Sequence, residues 1–295
     1  MKLHLTIAVA FLLCLQVNGQ QLNVEITENT TTPYLLGRID KSGLELDNYK
    51  TWFSKNYENY GINTALTNQF ASDLKEYNIT LFMGTWCGDS KREVPRFYKI
   101  LEACNFPMDQ LTTVALSGQP DMYKQSPQHE EAGLNIHRVP TFIFYKNGEE
   151  VNRIVEEPVQ SLEDDILDIV TGNHYKSNYY SVTELENILK SKGLKAFKKE
   201  KRKLYKRYKN KLESIYALNT YAHILYTTDR QDEAIAVLKL NTELFPKDSY
   251  TYLSLASKLL YSGDTKKSLK NFKKALKLDP ENEQIQKSIE AIKSN

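Results

Sequence analysis

TWCGDSKREVP, residues 85–95, continues directly from the apolar run ITLFMGT, 79–85. That run has the length and composition of a buried strand. The residues after it read as a helix reaching roughly to Ala103, so Cys87 stands where a strand hands over to a helix. At a helix N-terminus the macrodipole and the unpaired N–H groups favour a thiolate over a thiol. Pro95, eight residues on, removes an internal hydrogen bond and is expected to kink the helix. Asp89 suits the positive end of the dipole but competes with a thiolate for the same donors. Lys91 and Arg92 either steady a thiolate or simply solvate the helix.

Upstream, from Tyr34 to about Tyr60, the aromatic-rich LDNYKTWFSKNYENYG predicts a helix that packs Trp52, Phe53 and Tyr57 inward. Ala65–Tyr77 then spaces Leu66, Phe70 and Leu74 four apart, an amphipathic helix. Downstream, Leu111–Ser117 is a second strand-length run. TFIFYKNGEEVNRIVEE has strand, Asn147-Gly148 turn and strand, the signature of a hairpin. SLEDDILDIVTG closes the unit, with Ser161 and acids at a helix start and Gly172 after its end. Helix, strand, helix, strand, long connection, hairpin and helix make an α/β domain with a mixed sheet.

These residues resemble the thioredoxin family across about Leu66–Gly172. The resemblance rests on TWCGDS after a strand, Pro95 in the next helix, RVPTFIFYKNG downstream and a closing amphipathic helix. It implies a thioredoxin-like fold in which Pro140 is cis and lies against Cys87. It also implies that Val139 and Thr141 flank that proline where an extended client strand is held, with Trp86 beside them. His137, three residues before Pro140, lines the same cleft or is a structural loop histidine. Two departures bear on chemistry. Ser90 replaces the family's second cysteine, so a mixed disulfide on Cys87 has no local resolving thiol. Leu81 replaces the buried aspartate often found in the preceding strand. A serine hydroxyl can orient the thiolate but cannot form the internal disulfide. The implied activity is therefore single-cysteine thiol–disulfide exchange, of isomerase or mixed-disulfide type, on protein or peptide clients. The alternative is a redox-inactive binding module.

From Val182 the pattern is helical only. Lys195–Lys211 holds ten basic residues and one glutamate around a narrow stripe of Leu204, Tyr205 and Tyr208, and reads either as a membrane-surface or polyanion site or as a solvated helix joining two domains. Beyond it the chain repeats. Pro246 and Pro280 are 34 residues apart, and Ala222 matches Ala256, Leu225 matches Leu259, and Leu238 matches Phe272 at that period. This resembles tetratricopeptide repeats, which implies a groove for a protein partner. The basic helix and QIQKSIEAIK are the expected caps.

The 39 Lys and Arg nearly balance 37 Asp and Glu, so global charge gives no pointer to nucleic acid. There is no metal-ligand spacing and no glycine-rich phosphate loop, hence no cofactor is expected. Lys2 precedes the apolar run Leu5–Val17, then polar NGQQ with Gly19 at a cleavage-like position. Thirteen residues would span about 20 Å against a ~30 Å hydrocarbon core, so a signal peptide is expected rather than a membrane span. Leu13 before Cys14 argues against lipidation. The chain is expected to be exported, to the periplasm or beyond. Of the remaining cysteines, Cys87 and Cys104 lie too far apart along one helix to pair. The expected division is a signal peptide (1–19), a polar leader (20–44) whose QLNVEITENTTTP is either flexible or an added edge strand, a thioredoxin-like domain (45–175), a basic helical linker (176–214) and repeats with a capping helix (215–295).

Overall fold

The structure, a computed structural model, describes residues 21–28, 30–212 and 214–294. The expected signal peptide and Cys14 lie outside the described residues. Strands β1 (Val24–Ile26), β2 (Tyr34–Ile39), β3 (Asn78–Met83), β4 (Leu111–Ala115), β5 (Thr141–Lys146) and β6 (Glu149–Val155) form one sheet. Their order is β1-β2-β4-β3-β5-β6. β3 and β4 run parallel, and the other neighbours are antiparallel. The mixed sheet is thus built around the strand that leads to Cys87.

The pleat sends alternate residues of β3 to opposite faces. Ile79, Leu81 and Met83 face the main core with Phe142 and Phe144 of β5. Onto that face pack helices α2 (Lys50–Glu58), α3 (Thr64–Leu74), α4 (Gly88–Ala103) and α5 (Leu162–Val170). Phe53, Phe70, Phe97 and Ile166 are their buried contributions. Phe82, Val114 and Ile143 point the other way, where Leu116, Ile136 and Val139 from the long β4–β5 connection cover them. The hairpin turns at Asn147 and Gly148, both at positive φ (54° and 81°), as an Asn-Gly pair favours. Ser161 caps α5 through the Asp164 N–H.

The leader boundary needs correction. β2 lies within residues 20–44, yet it pairs with β4 and buries Leu35 and Ile39 in the main core. The Leu35 N–H also donates to Thr85 Oγ1 (3.1 Å), tying β2 to the stretch that ends in Cys87. The domain therefore begins with the strands, ahead of the short helix α1 (Lys41–Leu44).

The expected linker is likewise part of a domain, the helical one. Residues 180–208 form α6 (Tyr180–Tyr208), broken at Gly193, where φ is 74° and ψ 171°. Its two halves fold back on each other, for Arg207 and Tyr208 both donate to Glu184. Phe197, Leu204 and Tyr208 are buried in one core with α7 (Ile215–Thr227) and α8 (Gln231–Leu244). The basic helix is half of the first hairpin of the helical domain, with its cations on the outer face. Two hairpins come after it, α7–α8 and then α9 (Ser249–Tyr261) with α10 (Thr265–Leu278). The residues matched at the 34-residue period, Ala222 and Ala256, Leu225 and Leu259, Leu238 and Phe272, are all buried. α11 (Glu283–Ser294) closes the stack through Ile285 and Ile289. The chain is a thioredoxin-like α/β fold followed by helical repeats. Among the described residues, no helix is long and apolar enough to cross a membrane.

Candidate functional site

Cys87 is the N-cap of α4, in extended conformation, with its N–H bonded to Gly84 O at 2.9 Å. Its sulfur makes no capping bond to the first-turn N–H groups. The thiol instead donates to the Val139 carbonyl at 3.2 Å, and the Val139–Pro140 peptide is cis. The proline loop and the cysteine therefore meet as the resemblance implies. Thr141 is buried beyond the proline, its hydroxyl donating to Arg138 O (2.8 Å) as it starts β5.

Trp86 roofs this junction. Its indole N–H donates to Leu116 O at 2.8 Å. A Cβ at Gly84 would lie 2.6 Å from the indole, and one at Gly118 3.0 Å from it. Both glycines are required by the tryptophan's close approach to the backbone.

Ser90 is fully buried, and its oxygen accepts the Gly84 N–H at 3.2 Å. Among the described residues, no hydrogen bond joins it to the Cys87 sulfur, so its visible task is to tie α4 to the end of β3. Asp89 is paired with Arg92 at 2.9 Å. Arg92 also meets Glu93 at 2.6 Å and Glu157 at 3.3 Å, so three carboxylates share its charge. Leu81 is buried with no acid in its place.

His137 does not open onto the cleft as a working base. It is buried, Nδ1 faces Asn135 O at 3.2 Å, and Nε2 has no partner. Burial pushes its pKa down to about 3, with nearby Lys124, Arg138 and Arg153 adding to the effect. Its ring packs edge-on to Tyr179 (5.7 Å) and Tyr221 (6.3 Å) of the helical domain. Cys104 is buried at the far end of α4, a free thiol pushed up to about 11 by burial. Among the described residues, no cluster of His, Cys, Asp and Glu could hold a metal ion.

Three residues that the sequence left unmarked surround the site. Tyr123 lies 5.9 Å from Trp86 and 5.4 Å edge-on from His223 of α7, so the helical domain reaches over the cleft. Lys124 is buried beside it, and its amine donates to His137 O. Burial pushes Lys124 down to about 7; Arg138 adds to that, while Cys87 and Glu156 oppose it. Segment 118–140 has no periodicity, and these residues lie 36 or more positions from Cys87. No local signal marks them. Beyond Tyr123 a cavity of about 680 Å³ opens between Gly118 and Pro120 on one side and Tyr216, Asn219, Tyr250 and Lys258 on the other.

Over part of its length the chain carries a likeness to known proteins. It is similar to Thioredoxin-2 of Pyricularia oryzae, 28% identical over 116 residues that cover 38% of this chain and 60% of that protein. It is similar also to Thioredoxin-1 of Schizosaccharomyces pombe, 32% identical over 88 residues, 28% of this chain and 70% of that protein. No family model matches the chain. The likenesses show a thioredoxin-like domain, and the sheet and the cysteine–proline junction are those of the N-terminal domain. The chain belongs to the thioredoxin family.

Proposed function

We propose that this chain exchanges thiols and disulfides of protein or peptide clients through the single sulfur of Cys87. The observation that carries this reading is the sulfur's position. It is part-exposed at the start of α4, 3.2 Å from the Val139 carbonyl beside cis Pro140, with Ser90 rather than a second thiol one turn on. The Cys87 thiolate attacks one sulfur of a client disulfide, and the client's other sulfur leaves as a thiolate. A client thiolate then attacks the mixed disulfide, a client disulfide re-forms, and Cys87 regains its charge. No net electrons move, so one sulfur suffices for isomerisation without a reductant. Val139, Pro140 and Thr141 would hold the client strand, with Trp86 against it.

The helical hairpins are proposed as tetratricopeptide-like repeats whose cavity takes a partner or the client's flanking residues. The N-terminal apolar run supports action outside the cytoplasm, in the periplasm. A redox-inactive binding module is the second reading. The observation favouring it is the cover that Tyr123 and His223 lay over the cleft.

A scrambled client carrying free thiols separates the two. Wild-type protein should speed its reshuffling, and Cys87→Ser should not. Equal inertness of both would leave the binding module as the better account.

A further inference from the structure

Three cations are candidates to influence the Cys87 sulfur. Lys91 and Arg92 come after it in α4, but Arg92 is engaged by Asp89, Glu93 and Glu157. Lys91 is part-exposed, its charge open to screening by water and salt. The third cation, Lys124, comes from the β4–β5 connection and is 4% exposed.

Its backbone is clamped in place. The Lys124 N–H donates to Ser117 O at 2.8 Å, and the Ser117 N–H donates to Gln125 O at 3.0 Å. This holds Lys124 at a φ of 58°. The amine lies 4.9 Å from the Tyr123 ring centre and donates to the His137 carbonyl. His137 stands two residues before Val139, the residue whose carbonyl accepts the Cys87 thiol. One buried amine is therefore tied to the short loop that the sulfur touches.

We propose that Lys124 is a positioning residue of the Cys87 cleft: it pins the His137–Pro140 loop against the sulfur, and its positive charge stabilises the thiolate. The proposal rests on the exchange reading above. A desolvated ammonium is costly unless an anion faces it, and a thiolate formed at Cys87 is such an anion. Ammonium and thiolate thus favour each other. Cys87, Arg138 and Glu156 act on Lys124, and His137 and His223 feel its charge in turn. On its other side a cavity of about 390 Å³ adds His129, Glu131, Glu186, Asp229 and Arg230.

The two roles part with pH. Below about 7 the amine is charged, so it holds the loop and stabilises the thiolate. Above that value it is neutral and still donates to the His137 carbonyl, so the loop stays held while the charge is gone.

The test is the rate of iodoacetamide alkylation of Cys87 in the full chain, measured from pH 5 to 9. An opposite charge near a titrating group commonly shifts it by one unit or more, so Lys124→Met should slow alkylation at pH 7 roughly tenfold. Lys124→Gln keeps a donor for His137 and removes the charge, and should be as slow as Lys124→Met. Lys124→Arg keeps the charge and should recover most of the rate. A Lys124→Gln profile that superimposes on wild type would overturn the proposal, and that variant decides the matter if Lys124→Met does not fold. Alkylation reports the thiolate whether or not exchange occurs. A wild type that fails to reshuffle a client while Lys124→Gln alkylates slowly would therefore sink the exchange reading alone.

Discussion

Ser90 lies three residues after Cys87, fully buried, with its oxygen on the Gly84 N–H. A cysteine there would stand at a spacing that can close a disulfide across the helix start. Wild type should show almost no insulin reduction with a thioredoxin-class reductant, and Ser90→Cys should gain measurable activity. The gain should be partial, because Leu81 leaves the preceding strand without an acid. A Ser90→Cys variant as inert as wild type would refute this. His137 offers a second residue-scale test. Its neutral ring is favoured in the fold, where burial holds its pKa near 3 against an ordinary 6.5. As pH falls below about 6.5 the unfolded chain takes up a proton that the folded ring refuses, so stability is lost in that direction. By pH 5.5 the loss should reach on the order of 1 kcal/mol. His137→Gln should lose less than wild type between pH 7.5 and 5.5 in thermal unfolding, and identical losses would remove His137 from the account. The TWCGDS and RVP motifs made Cys87, Trp86 and Pro140 legible from sequence, because local chemistry and spacing define them. Ser90's bond to Gly84 and the packing of His137 were not legible, since both depend on where the chain returns in space.

At the scale of elements, β3 to β6 and α3 to α5 were readable because each carries its own period, cap or turn. β2 was not, for its burial depends on a partner strand, β4, that begins more than seventy residues later. The basic half of α6 misled for a related reason. Its ten cations dominate the sequence, while Phe197, Leu204 and Tyr208, with Leu194 and Tyr205 packed beside them, decide which face is buried. A polar joint adds to the apolar core that holds α6 to α7 and α8. Glu186, buried, accepts from Tyr221 at 2.6 Å and from Arg230 at 2.8 Å, with Lys190 at 3.4 Å. Burial alone would raise its pKa, but the bonds from Arg230 and Tyr221 and the nearby cations hold it below the ordinary 4.5. A depressed carboxylate stabilises the fold above its unfolded pKa, and that contribution is lost as pH falls through the folded value. It is therefore intact at neutral pH and fades below about 4.5. Glu186→Ala leaves Arg230 and Tyr221 without their shared acceptor and should cost about 3 kcal/mol in urea unfolding. A cost under about 0.5 kcal/mol would show the joint to be held by packing alone.

Over the whole molecule, two cores were foreseeable and their docking was not. The main core draws its residues from Leu35 to Tyr175, and the larger helical core begins at Val182. Between them run contacts from single side chains. Tyr123 meets His223, His137 meets Tyr179 and Tyr221, and Arg138 lies over Tyr179 at 4.7 Å. Lys190 adds a bond to Gly133 O at 2.7 Å. Isolated aromatic and basic residues have no period, so nothing in the sequence pairs them. Their arrangement makes the helical domain a support for the segment 118–140 that forms one wall of the Cys87 cleft. A chain of residues 21–176 keeps the main core whole and should fold cooperatively. It loses Tyr179, Tyr221 and His223, so the segment around Tyr123, Lys124 and His137 should lose hydrogen-exchange protection while β3 and β5 keep theirs. Lys124, released from burial, should regain an ordinary ammonium pKa, and the alkylation profile of Cys87 should lose any inflection near pH 7. Unchanged protection across 118–140 in the truncated chain would mean that the segment holds itself and the helical domain merely rests on it. Failure of 21–176 to unfold cooperatively would mean instead that the two cores are one structural unit.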